Sequence, residues 1–355
     1  MTETKDKTGI REKTETKEKK ESAEEKKRVS LNDISRELKL SKSTVSRALS
    51  GKGRISEGTR KRINSFVKEI DYRPNVIARS LAQSKTYNLG VIFPADSDLA
   101  EMPFFQVFLL GVCEVAAAHD YDVVVTVVVE KNISALKRLV RNRKVDGIIL
   151  TRLLVHDLAA AYLKKTGIPF VVVGTSDEED LIQIDTDHTA ACCKLTSILL
   201  AMGNRKIALI IGSEEHAVNV SRFQGYSKAF ENRGENIDKN LIFQNVGSHA
   251  AVEKGVEDAI KESVDCILCG DDIICGQVLS KIQIMGLSIP DDVKVASFYN
   301  SAFLRCYNPP ITALEINVKE LGVVTGQSLM DLISKKEITK KKILNYEIVL
   351  KKSTQ

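Results

Sequence analysis

Hydrophobic residues recur with a helical period in three short segments near the N-terminus, separated by polar and charged positions. Ser30 can cap the first helix, a break at 39–41 precedes the second, and the third is predicted over 57–70. The apolar positions that would share one core are Leu31, Ile34 and Leu38, then Val45 and Leu49, then Ile63, Phe66, Val67 and Ile70. This pattern predicts an all-α helix-turn-helix head over 30–73.

Beyond residue 88 the period changes, and continuous apolar runs alternate with helical patterns. The predicted strands are 89–93, 123–129, 145–150, 169–173, 207–211, 241–246, 265–269, 293–298, 312–316 and 343–350. Continuous apolar strands between helices are typical of parallel sheets covered on both faces. Because there are too many strands for one sheet, the sequence predicts an α/β body of two doubly wound parallel-sheet subdomains. Ligands of such sheets bind beyond the carboxyl ends of the strands.

Two segments lie outside the head and the body. Residues 1–29 hold 10 Lys and Arg against 8 Asp and Glu and almost no large apolar side chain, so we expect this extension to be disordered. Residues 74–87 are predicted as a hinge helix and linker, because Pro74 disfavours a helical Arg73 and Asn75 can cap a helix of about two turns. A helix of this length is only marginally stable on its own in water. We therefore expect it to become ordered only when another element packs against it.

Basic charge is concentrated in the predicted head and hinge. Residues 30–85 carry 13 Lys and Arg against 5 Asp and Glu, a balance of +8, although the whole chain carries only +5. A compact basic block beside a mildly acidic body favours a nucleic-acid-binding module. On charge alone, a merely solvated basic surface remains the alternative.

The second helix carries the chemistry that would read DNA. With Val45 and Leu49 inward, Lys42, Ser43, Ser46 and Arg47 point outward. The planar fork of Arg47 can bond O6 and N7 of guanine together, while hydroxyl groups reach base edges or phosphates. Lys42, Lys52, Arg54, Arg60 and Lys61 would mainly neutralise phosphates. A three-helix bundle with a solvated basic face is the alternative.

Four motifs in one order carry a family resemblance: SKSTVSRALSGKG at 41–53, RISEGTRKRI at 54–63, DYRPNVIARSLA at 71–82 and NLGVIFP at 88–94. This stretch resembles the lactose-repressor family of bacterial transcription regulators. The resemblance implies a recognition helix in the major groove, and hinge helices of two subunits paired in the minor groove with Leu81 as a wedge between base pairs. Together with the hydroxyl and basic residues above, the expected DNA-binding residues are Ser30, Lys42, Ser43, Thr44, Ser46, Arg47, Lys52, Arg54, Asn75, Ala78, Arg79 and Leu81.

The resemblance also implies that the body is periplasmic-binding-protein-like and binds a sugar, and that its chain crosses between subdomains near Asp185, Glu315 and Lys336. One subdomain would then comprise 88–184 with 316–336, and the other 185–315 with 337–355. Residues that follow predicted strands are the effector-binding candidates: Phe104, Phe105, Arg222, Asp271, Asp272, Tyr299 and Asn300. Aromatic rings against a sugar face, with an arginine and a carboxylate on its hydroxyls, are sound polyol chemistry.

Alternatives for these candidates stay open. Phe104 and Phe105 could be core residues, and Arg222 could form a surface ion pair. The resembled family commonly has Gly-Phe-Asp-Asp where this sequence has Ser-Phe-Tyr-Asn at 297–300, and tyrosine cannot accept two hydroxyl donors as a carboxylate does. The effector class is therefore open, although Gly-Asp-Asp at 270–272 with Asn-Pro-Pro-Ile-Thr at 308–312 resembles maltose-responsive repressors of Gram-positive bacteria and hints at an α-glucoside.

Several other classes of function find no support. The chain has no apolar run of about 20 residues, and no apolar stretch follows its N-terminal charges, so we expect a cytoplasmic protein with reduced thiols and no membrane contact. Cys266 and Cys269 have metal-ligand spacing but lie three apart in a predicted strand, where they face opposite sides, so we expect core thiols and no metal. No catalytic constellation and no nucleotide fingerprint is found, so the sequence predicts neither an enzyme nor a cofactor.

The sequence therefore predicts a homodimeric regulator, most simply a repressor, that binds a near-palindromic operator in double-stranded DNA and is controlled by a small-molecule effector, expected to be a sugar. One alternative is a regulator of the same fold that needs a corepressor ligand or a phosphocarrier partner to bind DNA. A sugar-transport binding protein and an enzyme on the double fold are further alternatives.

Overall fold

The computed structural model describes residues 30–49, 53–70, 80, 83–95, 103–129 and 131–355. The chain divides into two compact units, residues 1–84 and residues 85–355. The first contains the helical head, and the second contains the α/β body. The predicted disorder of 1–29 and most of the predicted hinge fall outside the described residues.

The head has three helices, α1 (Leu31–Glu37), α2 (Lys42–Leu49) and α3 (Glu57–Glu69). Ser30 caps α1 reciprocally, since its hydroxyl accepts from the Asp33 amide at 3.3 Å and its own amide donates to the Asp33 carboxylate at 2.9 Å. The shared core consists of the buried residues Ile34, Leu38, Val45, Ala48 and Ile63. The helix-turn-helix prediction is confirmed, with Ala48 inside and Leu49 only half-buried.

The body contains two six-stranded sheets. The first has the order β11-β5-β4-β3-β1-β2 and is parallel throughout. Its strands are β1 (Asn88–Pro94), β2 (Asp122–Val128), β3 (Gly147–Leu150), β4 (Phe170–Val173), β5 (Gln183–Thr186) and β11 (Lys341–Leu344). The second has the order β12-β10-β9-β8-β6-β7, with β12 antiparallel at one edge. Its strands are β6 (Ile207–Ile210), β7 (Ile242–Phe243), β8 (Cys266–Cys269), β9 (Lys294–Ser297), β10 (Thr312–Ile316) and β12 (Tyr346–Val349).

Helices cover both faces of each sheet, as the continuous apolar strands predict. The helices of the first subdomain are α4 (Pro103–Ala118), α5 (Ser134–Arg141), α6 (Leu158–Thr166) and α12 (Val318–Ile333). Those of the second are α7 (His188–Ala201), α8 (Ala217–Glu231), α9 (His249–Lys261), α10 (Asp272–Ile284) and α11 (Ala302–Cys306). Each subdomain has two hydrophobic clusters, one on each face of its sheet. The predicted fold class is confirmed. Across the described residues, no helix combines the length and the apolar character that crossing a bilayer requires.

The predicted strand 343–350 is wrong, because the structure divides this stretch between the two sheets. β11 pairs in parallel with β5, with Ile343 opposite Asp185, whereas β12 pairs antiparallel with β10, with Glu347 opposite Glu315. The third crossing therefore lies at Asn345 and not near Lys336. Hydrophobic periodicity locates a strand but carries no information on its partner, so one apolar stretch could not reveal two pairings.

The other two crossings lie close to their predicted positions. β5 ends at Thr186 and α7 begins at His188, so Asp185 belongs to the first sheet and not to the second subdomain. β10 ends at Ile316 in the second sheet, and α12 then begins at Val318 in the first subdomain.

Two glycines allow α4 and α12 to touch through their backbones. A Cβ atom built on Gly322 would collide with the Phe108 carbonyl oxygen, and one built on Gly111 would collide with the Lys319 carbonyl oxygen. Neither obstacle is a flexible side-chain end, so the helices would have to separate to admit a methyl group.

We expect Gly322→Ala to lower the free energy of unfolding of the body by about 1–3 kcal/mol, because overpacking forces the helix backbones to shift. The control is Gly276→Ala, since a Cβ atom on this helical glycine of α10 would come no closer than 3.4 Å to Phe303. Alanine has the higher helix propensity, so the control should be neutral or slightly stabilising. Thermal melts of the three proteins decide, and equal melting temperatures for both variants would contradict the close contact.

Candidate functional site

One face of α2 is exposed and polar. Lys42, Ser43, Ser46 and Arg47 are exposed, whereas Val45 and Ala48 are buried in the head core. The predicted orientation of the helix is therefore confirmed. Thr44 is half-buried, and its hydroxyl lies 2.8 Å from that of Ser41, which also accepts from the Thr44 amide at 3.1 Å. Ser41 thus caps the helix, and Thr44 takes part in that cap.

Gly53 accommodates the side chain of Arg47. It has a left-handed backbone, with φ of +85°, and a Cβ atom there would come within 3.2 Å of Arg47 Cδ. Glycine adopts this conformation without strain and leaves room for the methylene groups of the arginine. Arg54, which follows, is exposed.

The other expected DNA contacts differ in what the structure describes. Ser30 is exposed, and its hydroxyl donates to the Asp33 carboxylate at 2.6 Å, so a capping role is evident and a DNA contact stays a prediction. Lys52, Asn75, Ala78, Arg79 and Leu81 lie outside the described residues. Their roles in the minor groove and on phosphates also stay predictions.

A cavity of about 140 Å³ lies beyond the carboxyl ends of strands from both sheets, where an α/β fold binds ligands. From the first subdomain it is lined by Phe104, Phe105, Thr151, Arg152, Leu153, Val173, Gly174, Asp185, Thr186 and Leu321. The second subdomain and its crossings contribute His188, His216, Val218, Asn219, Arg222, Asp271, Asp272, Tyr299 and Ile316.

The cavity brings together all the expected effector residues except one. Asn300 is absent from its lining, although Tyr299 beside it is present. The Asn300 side chain is buried and donates to the Glu315 carboxylate at 3.2 Å. It therefore braces the strand β10, where the second crossing begins.

Aromatic rings form one wall of the cavity. Tyr299, from the second subdomain, packs edge-on against Phe104, from the first, with ring centroids 5.9 Å apart. Phe105 packs edge-on against Phe104 at 5.3 Å and is buried in the core, so it serves both as core and as lining. Burial raises the pKa of the Tyr299 hydroxyl, and the Asp272 carboxylate adds to the effect. This hydroxyl therefore stays protonated and can donate a hydrogen bond.

Arg222 on α8 lies on the polar wall. It is only 7% exposed, which rules out a surface ion pair, and its Nη1 donates to the Asn219 side-chain oxygen at 3.2 Å. Its buried Nε atom has no hydrogen-bond partner among the described residues. A buried guanidinium with an unused donor is suited to a polar ligand.

Two adjacent carboxylates after β8 have different environments. Asp271 caps α10, since its Oδ1 accepts from the Ile274 amide at 2.9 Å. Burial raises the pKa of Asp272 to about 6, the Asp271 carboxylate acts in the same direction, and the Arg222 guanidinium opposes them. Asp272 is thus the carboxyl group that is poorly solvated in the cavity.

The sequence reasoning missed a buried pair at the end of β5. Asp185 Oδ1 lies 3.2 Å from His188 Nε2, and both side chains are buried. The rule that candidates follow predicted strands could not select them, because β5 is not among the predicted strands. They were overlooked because this stretch was interpreted as a crossing between subdomains. His216 and Asn219 were missed because they lie in a loop and at a helix start without a distinctive pattern, whereas Arg152 follows the predicted strand 145–150 and could have been selected.

Cys266 and Cys269 are core thiols, as predicted. Cys266 packs in the cluster on one face of the second sheet and Cys269 in the cluster on the other. Burial raises the pKa of the Cys266 thiol to about 12. Within the described parts of the chain, no group of three or more His, Cys, Asp or Glu side chains is arranged to hold a metal ion.

Comparison with known families agrees with this architecture. Residues 30–75 match the model of bacterial regulatory proteins of the lacI family, and residues 196–354 match the periplasmic binding protein-like domain. The chain therefore combines a DNA-binding domain of the lacI type with a periplasmic binding protein-like domain. It is a DNA-binding transcription regulator, as the sequence motifs predict.

The similarity to several relatives and solved structures extends over nearly the whole chain. The HTH-type transcriptional regulator pepR1 of Lactobacillus delbrueckii subsp. lactis is 27% identical over 332 residues, which are 92% of this chain and 98% of that protein. MalR of Streptococcus pneumoniae is 28% identical over 338 residues, 91% of this chain and 99% of that protein. A lac repressor dimer bound to operator and an anti-inducer shares the fold, with a TM-score of 0.76, 22% identity and coverage of 92% and 99% of the two chains. A complex of the transcriptional regulator CelR with cellobiose has a TM-score of 0.70, 23% identity and coverage of 92% and 100%.

For this lacI family head we expect Arg47→Ala to weaken binding to the operator by about 1–3 kcal/mol, because a bidentate contact to guanine would be lost. Binding to random DNA should change little. The control is Lys61→Ala, because Lys61 is exposed, lies 3.1 Å from Glu57 and is predicted mainly to neutralise phosphate. Its loss should weaken both kinds of binding alike. Fluorescence anisotropy over a salt series measures the affinity for the operator and for random DNA. An equal loss of affinity for the two DNAs in Arg47→Ala would contradict base recognition by this residue.

The raised pKa of Asp272 gives the body a specific pH dependence. A carboxyl group whose folded pKa lies above its unfolded value stabilises the fold below the unfolded pKa, and this contribution is lost as the pH rises through about 6. Asp272→Asn should therefore raise the unfolding free energy at pH 7.5 by on the order of 1 kcal/mol after solvent screening, and far less at pH 4.5. The exposed Asp291→Asn serves as control. Thermal melts at both pH values test this. A change in melting temperature of Asp272→Asn that is the same at both pH values would contradict it.

Proposed function

We propose that this regulator is a repressor that binds its operator as a homodimer, and that an uncharged polyol, most simply a sugar, binds in the cavity and controls it. One observation carries the proposal. The cavity joins both subdomains, and its lining combines aromatic rings with the buried Arg222 and the half-buried Asp272. A binding role of this kind requires neither a catalytic step nor a cofactor, and it places the protein with the chromosome in the cytoplasm.

The lining is chemically suited to a sugar. Phe104 and Tyr299 offer ring faces and edges to the apolar C–H groups of a pyranose, and the Arg222 Nε donor and the Asp272 carboxyl group can bind its hydroxyls. The solved CelR relative holds cellobiose, and another structural neighbour is described as a probable maltose operon repressor. These descriptions and the maltose-responsive sequence pattern together favour a glucoside as the effector of this protein.

Binding in the cavity can control DNA affinity through the crossings. A ligand that contacts Phe104 in one subdomain and Arg222 in the other favours whichever arrangement of the subdomains it fits best. The equilibrium then shifts by the difference in its affinity for the two arrangements. We propose that the arrangement favoured by the effector is the one in which the two hinge segments, with Leu81 as wedge, cannot pair on DNA.

Exposed apolar residues support a homodimer. Val125 and Val127 on the edge strand β2 lie exposed in the same subdomain as Leu110 on α4, which is 62% exposed. In the second subdomain, Ile284 is 70% exposed and Phe303 on α11 is 55% exposed. An unprotected sheet edge with apolar side chains invites pairing unless a partner covers it. A second copy covering these surfaces would also bring two heads together for a palindromic operator.

The test begins with an operator selected from genomic DNA by the purified protein. Gel shifts on this operator with maltose, cellobiose and related glucosides should show one sugar that weakens binding, together with a dimer in sedimentation at the same concentration. A sugar that instead strengthens binding would favour the corepressor alternative. If calorimetry detects no sugar binding, the effector proposal is refuted, and a monomer would refute the paired arrangement.

In the same assay we expect Arg222→Ala to abolish the response to the sugar and to leave operator binding unchanged. Arg222→Lys should lower sugar affinity at least about tenfold, since an ammonium group cannot reproduce the fork of donors. Arg205→Ala is the control, because this side chain is exposed and pairs with Glu235 at 3.5 Å. Unaltered calorimetric affinity in Arg222→Ala would remove this residue from the site.

A further inference from the structure

Three polar residues of the cavity lining each leave a buried atom without a hydrogen bond among the described residues. These atoms are Thr186 Oγ1, His188 Nδ1 and Arg222 Nε. Buried polar atoms in folded proteins are almost always satisfied, so a cluster of unsatisfied ones in a cavity indicates a bound molecule that completes them. Arg222 already has a role in the proposed function, but Thr186 and His188 have none.

The surroundings of His188 define which of its nitrogens is available. Its Nε2 lies 3.2 Å from Asp185 Oδ1, and the exposed fractions of the His188 and Asp185 side chains are 7% and 6%. The same Asp185 oxygen accepts from the Thr186 backbone amide at 2.8 Å, which fixes the carboxylate against the end of β5. A carboxylate bonded to one imidazole nitrogen holds the ring proton there and sets the ring orientation. The lone pair is then left on Nδ1, the atom without a partner.

We propose that His188 contacts the effector directly, with Nδ1 accepting a hydrogen bond from a hydroxyl group of the bound molecule and Asp185 holding the ring in place. The inference rests on the proposed function, because it requires a polyol in the cavity. It also specifies the chemical class of the ligand group that contacts His188. A hydroxyl can donate to a lone pair, whereas a carboxylate or phosphate oxygen would meet it with a second lone pair.

Position along the chain gives this contact a second effect. Asp185 belongs to β5 in the first sheet, and His188 is the first residue of α7 in the second subdomain. The pair therefore spans the first crossing within four residues of chain. A hydroxyl bound to Nδ1 therefore depends on the geometry of that crossing. His188 thus contributes both to the choice of effector and to the response of the two subdomains to it.

Two substitutions separate contact with the effector from bracing of Asp185. In His188→Gln, the terminal amide can replace Nε2 opposite Asp185, but nothing replaces Nδ1. In His188→Asn, the shorter amide can replace Nδ1, but it does not reach Asp185. The exposed His249→Gln is the matched control.

Calorimetry with maltose and cellobiose on the full-length protein then distinguishes contact with the effector from bracing of Asp185, because the two roles predict opposite orders of sugar affinity for the two variants. We expect His188→Gln to lower the affinity for the bound sugar at least about tenfold, the size of one hydrogen bond to a buried polar group, and His188→Asn to lower it less. The reverse order, or unchanged affinity in both variants, would overturn the contact. Melting temperatures of both variants show whether they fold.

Two further measurements keep this inference distinct from the proposed function. If neither sugar binds the unmodified protein, the proposed function fails, whereas binding that both substitutions leave intact refutes His188 alone. Long-range proton–nitrogen NMR of the unliganded protein should show the His188 proton on Nε2, and a proton on Nδ1 alone would overturn the inference. Glucose should bind more tightly than glucuronate, and the opposite preference would refute the proposed ligand class.

Discussion

Parallel strand pairing is the interaction on which the cavity depends. In each sheet it aligns the carboxyl ends of strands that are far apart in sequence, so Thr151 and Asp185 converge from one sheet while Asp272 and Tyr299 converge from the other. The following helix then begins at the same edge, and its first turn needs an acceptor. Asp271 meets that need at α10, although it also lines the cavity. Backbone hydrogen bonding thus engages one of the two adjacent carboxylates at the helix start, whereas Asp272 makes no such cap.

Much of this arrangement could be predicted from local pattern. Helical spacing located the buried face of α2 through Val45, and the strand-end rule located Arg222 and Tyr299, because both features follow from nearest neighbours in sequence. Strand partners are different, because they depend on distant parts of the chain. For this reason one apolar stretch was predicted as a single strand although it forms both β11 and β12. Asn300 was predicted to bind the effector, although its amide donates to the Glu315 carboxylate. The pair of Asp185 and His188 was missed because β5, whose partner β11 is distant in sequence, was not predicted as a strand.

The head separates stability from recognition. Its core uses Ile34, Val45, Ala48 and Ile63, whereas the side chains that face outward on α2 contribute little to that core. Exposed substitutions away from such packing usually change stability very little. The outward side chains of α2 can therefore be substituted without unfolding the domain, provided that Gly53 keeps the space that Arg47 occupies.

The division of residues 341–349 between the sheets has a consequence for synthesis on the ribosome. Of the strands that the structure describes, β11 and β12 are the last in chain order, and each forms an edge of a different sheet. The nascent chain can therefore pack most of both subdomains early, but β5 and β10 each lack one strand partner until the final strands emerge. Open edges of apolar strands are where nascent proteins associate wrongly. This short segment thus supplies the last strand of both sheets, and neither sheet is complete until it has left the ribosome.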